Sequence, residues 1–298
     1  IPEDAYADNW VTKNALSELR TLAQKTSPWF LMVNFSGPHD PWDVTENMKK
    51  SWQDTALPLP EEYTGSRSRL MGVRQNYAAM LENIDRNIGT VLNELKRLGQ
   101  YEDTVILYSA DHGEMLGDKN RFFKSVPYRA SVHIPLVISG EGVLFGYSCD
   151  ELVQLNDLAA TITAIAGLQM PAGTDSRSLL PLATEKDARP VRDYQYAALY
   201  TDLRERDEPL DGYESFECYR KRHIGGRLVL SNGMIEKKGW QSIATKEWKY
   251  IEYLDTGKQE LYDLSADPDE RTDIADSAPV LLMQLRKALH EHFRESLS

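Results

Sequence analysis

Three short apolar runs constrain this chain more than any other feature. Trp29-Phe30-Leu31-Met32-Val33-Asn34-Phe35, Thr104 to Ser109 and Ile134 to Ile138 each have strand length and carry no charge. Such runs suit strands covered on both faces, as in a parallel sheet sandwiched by helices. The first ends in Ser36-Gly37-Pro38-His39-Asp40-Pro41-Trp42, where two prolines and a glycine stop regular structure. Between the first two runs, Tyr77, Leu81, Ile84, Ile88, Val91, Leu95 and Leu98 recur three and four apart. That spacing predicts a long amphipathic helix, and Gly99 stands where a C-cap belongs. Helices are also expected over 8–26 and over Leu152 to Ala166. Strand, loop, helix, strand is the βαβ rhythm of an α/β domain.

The pattern changes near Pro190. Beyond it the segments are short and β-like: Trp240 to Thr245, Trp248 to Leu254 and Glu260 to Leu264, with Asp255-Thr256-Gly257-Lys258 as a hairpin turn. A helix from about Pro279 closes the chain. Residues 1–190 therefore read as the main α/β portion, and 191–298 as a smaller α+β subdomain with an antiparallel sheet and a helix. Tyrosines and arginines near 194–222 read first as subdomain packing, with stacking of a sugar or aryl group as the alternative.

Charge narrows the function classes. Forty-six acidic against 34 basic residues give a net charge of −12, which argues against a nucleic-acid partner. No apolar run approaches the roughly 20 residues that cross a bilayer, so no membrane span is expected. An anionic substrate would need a local cationic site. Ile1-Pro2-Glu3-Asp4 lacks an initiator Met and a signal pattern, so the chain reads as a processed or excised piece.

The strongest chemical signal is Ser109-Ala110-Asp111-His112-Gly113-Glu114, just past the C-terminal end of a strand, where open α/β sheets place ligands. A carboxylate and an imidazole side by side can give oxygen and nitrogen to one metal, and Gly113 lets the backbone turn sharply afterwards. Taken alone, an ordinary polar loop reads equally well. Downstream, Lys119-Asn120-Arg121-Phe122-Phe123-Lys124 offers a lysine that can meet an oxygen of an anionic substrate as a point charge; taken alone, the stretch reads as a solvated basic loop. His39 sits on another strand-end loop, a position open to the same sheet edge; taken alone, it reads as a structural histidine bonded to backbone.

Several stretches in series resemble the type I sulfatases of the alkaline-phosphatase-like superfamily. Phe35 to Pro41 is similar to the family's histidine loop, and Tyr77 to Gly89 to its long helix. Ser109 to Asp118 resembles the "SDHGE…LG(D/E)" metal loop, and Lys124 to Pro135 the "K…PY…S…(I/V)P" stretch after it. Ser178 to Leu182 resembles "SLLPLL". Glu260 to Leu264 with Asp267-Pro268 and Glu270 resembles "ELYDLxxDPxE". The resemblance implies part of an α/β/α sandwich followed by the smaller subdomain. It also implies hydrolysis of sulfate esters, with a sulfated small molecule or sulfated glycan as substrate and an exported location.

The same resemblance assigns Asp111 and His112 as ligands of a divalent cation, Ca²⁺ in sulfatases. It makes Lys124 the holder of a sulfate oxygen and His39 the proton donor to the leaving oxygen. The family's nucleophile is a formylglycine made in an N-terminal Cys/Ser-x-Pro-x-Arg motif. Cys149 precedes Asp150-Glu151-Leu152 and Cys218 precedes Tyr219-Arg220-Lys221, so neither fits. The expectation is therefore a sulfatase fragment that needs the N-terminal part of the same protein and is inactive alone. Arg129 and His133 stand where many members carry an acid and an arginine. Two alternatives remain at this point: a phosphate or phosphonate ester hydrolase of the same superfamily, and a non-catalytic binding module.

Overall fold

The computed structural model describes residues 2–200 and 239–295. Cys218 and most of the 194–222 stretch lie outside the described residues. Contacts divide the chain into two compact units that alternate along the sequence. Ile1–Ala110, Glu114–Phe123 and Pro135–Val143 make the first; Asp111–Gly113, Lys124–Ile134 and Leu144–Ser298 make the second.

In the first unit, α1 (Ala7–Leu22), α2 (Glu46–Lys50) and α3 (Arg67–Arg97) pack together. α3 is the helix that the three-and-four spacing predicts, and it buries Leu70, Ala79, Met80, Ile84 and Leu95. Ser66 caps its start, its hydroxyl accepting from the Arg69 N–H at 3.4 Å. At its end Gly99 adopts φ 68°. The Gly99 and Gln100 N–H groups donate to Lys96 and Leu95 carbonyls, each at 3.0 Å, the paired bonds of a Schellman C-cap. α1 is tied to α3 by Arg20 donating to Glu94 at 2.7 Å and by Asn9 accepting from Asn83 and Asn87.

Two strand expectations need correction. Trp29 to Phe35 forms no regular element and pairs as a strand with none of the described residues, and Phe30 and Met32 are 65% and 68% exposed. An apolar run specifies an extended chain with surface to bury; only a hydrogen-bonded neighbour makes it a strand. Nor do the other two runs make a parallel βαβ pair. β1 (Ile106–Ser109) and β2 (Leu136–Ser139) pair antiparallel, Ile106 opposite Ser139. The residues between them hold only a 3-10 turn (Asp118–Asn120) and a four-residue helix (Arg129–Val132), both shorter than a crossover helix, and the second strand runs back along the first.

The second unit holds α4 (Arg129–Val132), α5 (Asp157–Ile165) and α6 (Leu180–Thr184). It also holds a four-stranded antiparallel sheet in the order β3 (Gln195–Tyr200), β4 (Gly239–Ala244), β5 (Trp248–Tyr253), β6 (Gln259–Asp263). α7 (Pro279–Glu295) lays Leu285 and Leu289 on Ile243, Tyr250 and Leu261. Each such aliphatic side chain contributes about 1.5–3 kcal/mol when fully buried. The turn predicted over 255–258 joins β5 to β6, with the Tyr253 N–H donating to the Lys258 carbonyl at 2.9 Å. Asp157 is a buried hub that accepts from the Gln154 and Arg177 N–H groups and from Arg192.

Candidate active site

The chain leaves β1 at Ser109 and enters Asp111-His112-Gly113 at once. The Asp111 carboxylate is 84% exposed, accepts the His112 N–H at 2.9 Å and lies 3.6 Å from His112 Nε2. His112 Nδ1 is 2.8 Å from the Gly113 carbonyl. A carbonyl only accepts, so Nδ1 carries a proton. A carboxylate oxygen and an imidazole nitrogen whose other nitrogen is held by a carbonyl are the donor set and orientation that metal-ligating histidines use. The pair therefore fits part of a cation's shell. Among the described residues, no group of three or more His, Cys, Asp or Glu is assembled to hold a metal.

Gly113 is required for a reason other than a sharp turn. Its N–H donates to the Ser131 carbonyl at 2.7 Å, and a Cβ there would stand 2.1 Å from the Ala130 carbonyl oxygen. The loop bearing Asp111 and His112 is thus pressed backbone to backbone against α4. Lys124 begins the segment that leads into α4. The residues on either side of it, Phe123 (φ 67°) and Ser125 (φ 76°), both occupy the left-handed region without being glycine. Such conformations cost about 1–3 kcal/mol each and persist where the surroundings over-determine them.

His39 belongs to the first unit, whereas Asp111, His112 and Lys124 belong to the second. The Gly37-Pro38 and Asp40-Pro41 peptides around it are cis. Its Nδ1 donates to the Asp40 carbonyl at 2.8 Å and lies 3.1 Å from the Asp40 carboxylate, which directs Nε2 outward from that contact.

Two positioning carboxylates escaped the sequence reading. Buried Asp8, in the first turn of α1, accepts from the Ser36 N–H, the Ser36 hydroxyl and the Gly37 N–H at 2.8, 3.2 and 3.1 Å, fixing the start of the histidine loop. An acid in a first helical turn was the only signal, and it names no partner. Glu114 accepts from the Leu116 N–H at 3.2 Å and from the Phe123 N–H. Its place after His112 marked it, but not what it holds. Burial, reinforced by the charge of Glu114, pushes the Tyr77 phenol up to about 12.

His133 is held toward its neutral form. Desolvation first, then the charges of Arg129 and Lys249, hold its pKa below the ordinary histidine value. A cavity of about 330 Å³ in the first unit, between the α3–β1 turn and the end of β2, is rimmed by Glu102, Asp103 and Glu141. Three carboxylates repel an anionic ester, and none of the candidate residues lines it. Among the described residues no helix is long and apolar enough to cross a membrane.

The family model for Sulfatase matches residues 2–168, a span that contains His39, Asp111, His112 and Lys124. The chain belongs to the sulfatase family and has its alkaline-phosphatase-like fold. Human arylsulfatase K is 29% identical over 227 residues, 76% of this chain and 38% of the human protein. An arylsulfatase of Clostridium perfringens is 26% identical over 299 aligned positions, 92% of this chain and 55% of that protein. The chain thus spans between about two fifths and a little over half the length of these relatives. Among solved structures, Bacteroides fragilis yidJ superposes with a TM-score of 0.80 at 16% identity, covering 98% of this chain and 59% of that one. A protein solved with its substrate D-glucosamine-2-N,6-O-disulfate gives 0.78 at 19%, covering 99% and 71%. A phosphonate monoester hydrolase of Silicibacter pomeroyi gives 0.74 at 21%, covering 98% and 61%, so the fold itself is common to both ester chemistries.

Proposed function

We propose that the protein containing this chain is a sulfuric ester hydrolase, and that His39, Asp111, His112 and Lys124 serve its reaction. The sulfatase match across residues 2–168, which holds all four, carries this reading. Lys124 binds a sulfate oxygen and offsets the negative charge that grows as the ester bond breaks. His39 donates the Nε2 proton to the leaving oxygen, its ring oriented by the Nδ1 contact to Asp40. Asp111 and His112 are two ligands of a divalent cation, Ca²⁺ in this reading, which would supply electrostatic stabilisation to the sulfate group when bound. The nucleophile is a formylglycine made in the family's N-terminal Cys/Ser-x-Pro-x-Arg motif; the one string of that form in these 298 residues, Ser125-Val126-Pro127-Tyr128-Arg129, follows Asp111, His112 and Lys124 instead of preceding them. The substrate class is a sulfated small molecule or sulfated glycan, in keeping with the arylsulfatase relatives and the sulfated glucosamine held by one structural neighbour.

The test compares initial rates of the whole protein on an aryl sulfate and on the phosphate ester of the same phenol, with and without chelator. Faster, chelator-sensitive turnover of the sulfate is expected. Faster turnover of the phosphate would overturn the assignment.

A further inference from the structure

The segment that follows Lys124 hangs from the four-stranded sheet at successive residues. Trp240 on β4 donates its indole N–H to the Ser125 carbonyl at 3.0 Å. Lys249 on β5 donates its ammonium to the Pro127 carbonyl and pairs with Glu270 at 2.7 Å. Glu270 uses its other oxygen to accept the Arg129 N–H at 3.0 Å. The Tyr128 hydroxyl lies 3.0 Å from that of Tyr253. Three of these contacts engage main-chain atoms, so they fix the path of the backbone and not merely a side chain.

The Lys249–Glu270 pair is unusual in kind. Both groups are almost completely buried, at 5% and 1% exposure, and burying an ion pair is a poor way to gain stability. What this pair does achieve is geometric: one charge holds the carbonyl of Pro127 and the other the amide of Arg129. Glu270 itself sits at φ 57°, a strained conformation for a glutamate. Strain and a buried pair converge on the backbone that starts at Lys124, itself flanked by the left-handed Phe123 and Ser125.

Resting on the reading of Lys124 given above, we infer that Lys249 and Glu270 are positioning residues for Lys124: the smaller sheet aims the sulfate-binding lysine of the hydrolase. They touch no substrate. Their effect passes through the 125–129 backbone, and loosening it lets the ammonium of Lys124 wander from the charge it must meet.

The test uses the neutral double variant Lys249→Met/Glu270→Gln, which leaves no orphaned buried charge. Hydrogen exchange of the chain should quicken at amides 125–131 while β4–β6 keep their protection. In the whole protein kcat on an aryl sulfate should fall about tenfold or more, with KM changed far less. In a Lys124→Ala background the same double variant should cost within about threefold, because the group being aimed is gone. Trp240→Phe, which removes the indole donor to Ser125 and keeps an aromatic ring, should show the same pattern more weakly and serves if the double variant does not fold. Unchanged exchange at 125–131, or an equal loss with and without Lys124, would overturn the inference. If Lys124→Ala alone turns over like wild type, the role of Lys124 fails and this inference falls with it. If Lys124→Ala is slow but the double variant is not, only the inference fails.

Discussion

Replacing Gly113 by alanine isolates the contact on which the Asp111–His112 loop depends. The added Cβ would lie 2.1 Å from the Ala130 carbonyl oxygen and 3.0 Å from its carbon, both main-chain atoms that cannot rotate away. Carbon and oxygen come to rest near 3.3 Å, so the two backbones must part by about 1 Å. Overpacking of this sort costs about 1–3 kcal/mol. Stretching the 2.7 Å bond from the Gly113 N–H to the Ser131 carbonyl adds about 0.5–1.5 kcal/mol. A total near 2–4 kcal/mol is expected from urea unfolding of the chain. The same displacement moves Asp111 and His112, and a misplacement of about 1 Å in a catalytic site can cost about 10²-fold in kcat/KM. Gly72 provides the contrast: it lies inside α3 with nothing within 4 Å of an added methyl, and Gly72→Ala should stabilise by about 0.5–1 kcal/mol. A Gly113→Ala protein with wild-type unfolding and wild-type turnover would refute the close approach.

Three further outcomes follow from packing and charge. Hydrogen bonds from Arg97 and Arg20 hold the Glu94 carboxyl at about 2, below its ordinary 4.5. A carboxyl depressed by folding contributes stability that is complete above 4.5 and is lost as pH falls through 2, so Glu94→Gln should flatten the acid limb of a stability–pH curve in that window; identical limbs would contradict the pairing. Leu289→Ala, at a fully buried position under β4 and β5, should destabilise by about 2–5 kcal/mol in denaturant unfolding. Asp8→Ala strips three donors of their acceptor and should cost about 1–3 kcal/mol, with faster exchange at the Ser36 and Gly37 amides.

Local features were legible in the sequence where the cause is local. α3 follows from apolar spacing and Gly99, and β4 to β6 follow from short β-rich segments around a Gly-containing turn. β3 was not read, because Gln195 to Tyr200 carries two alanines and takes its strand character from pairing with β4. Trp29 to Phe35 was read as a strand because hydrophobicity reports burial and not hydrogen-bond partners. The same limit applies to the site. Asp111 and His112 announce themselves as neighbours in one motif. The bonds from Asp8 to residue 36, Trp240 to residue 125 and Lys249 to residue 127 join positions far apart in sequence, and no single-chain pattern encodes such pairings.

The central claim is that His39 and Lys124 act on the breaking ester bond, and a leaving-group series tests it most directly. Rates of the whole protein on aryl sulfates of rising phenol pKa would be compared for wild type, His39→Ala and Lys124→Ala. A proton donor matters most where the leaving oxygen is most basic, so His39→Ala should lose most activity on the poorest leaving groups and little on nitrocatechol sulfate. Lys124→Ala should lose about 10²-fold or more across the series, the scale of removing one stabiliser of developing charge. A uniform loss for His39→Ala, or wild-type turnover for Lys124→Ala, would contradict the account.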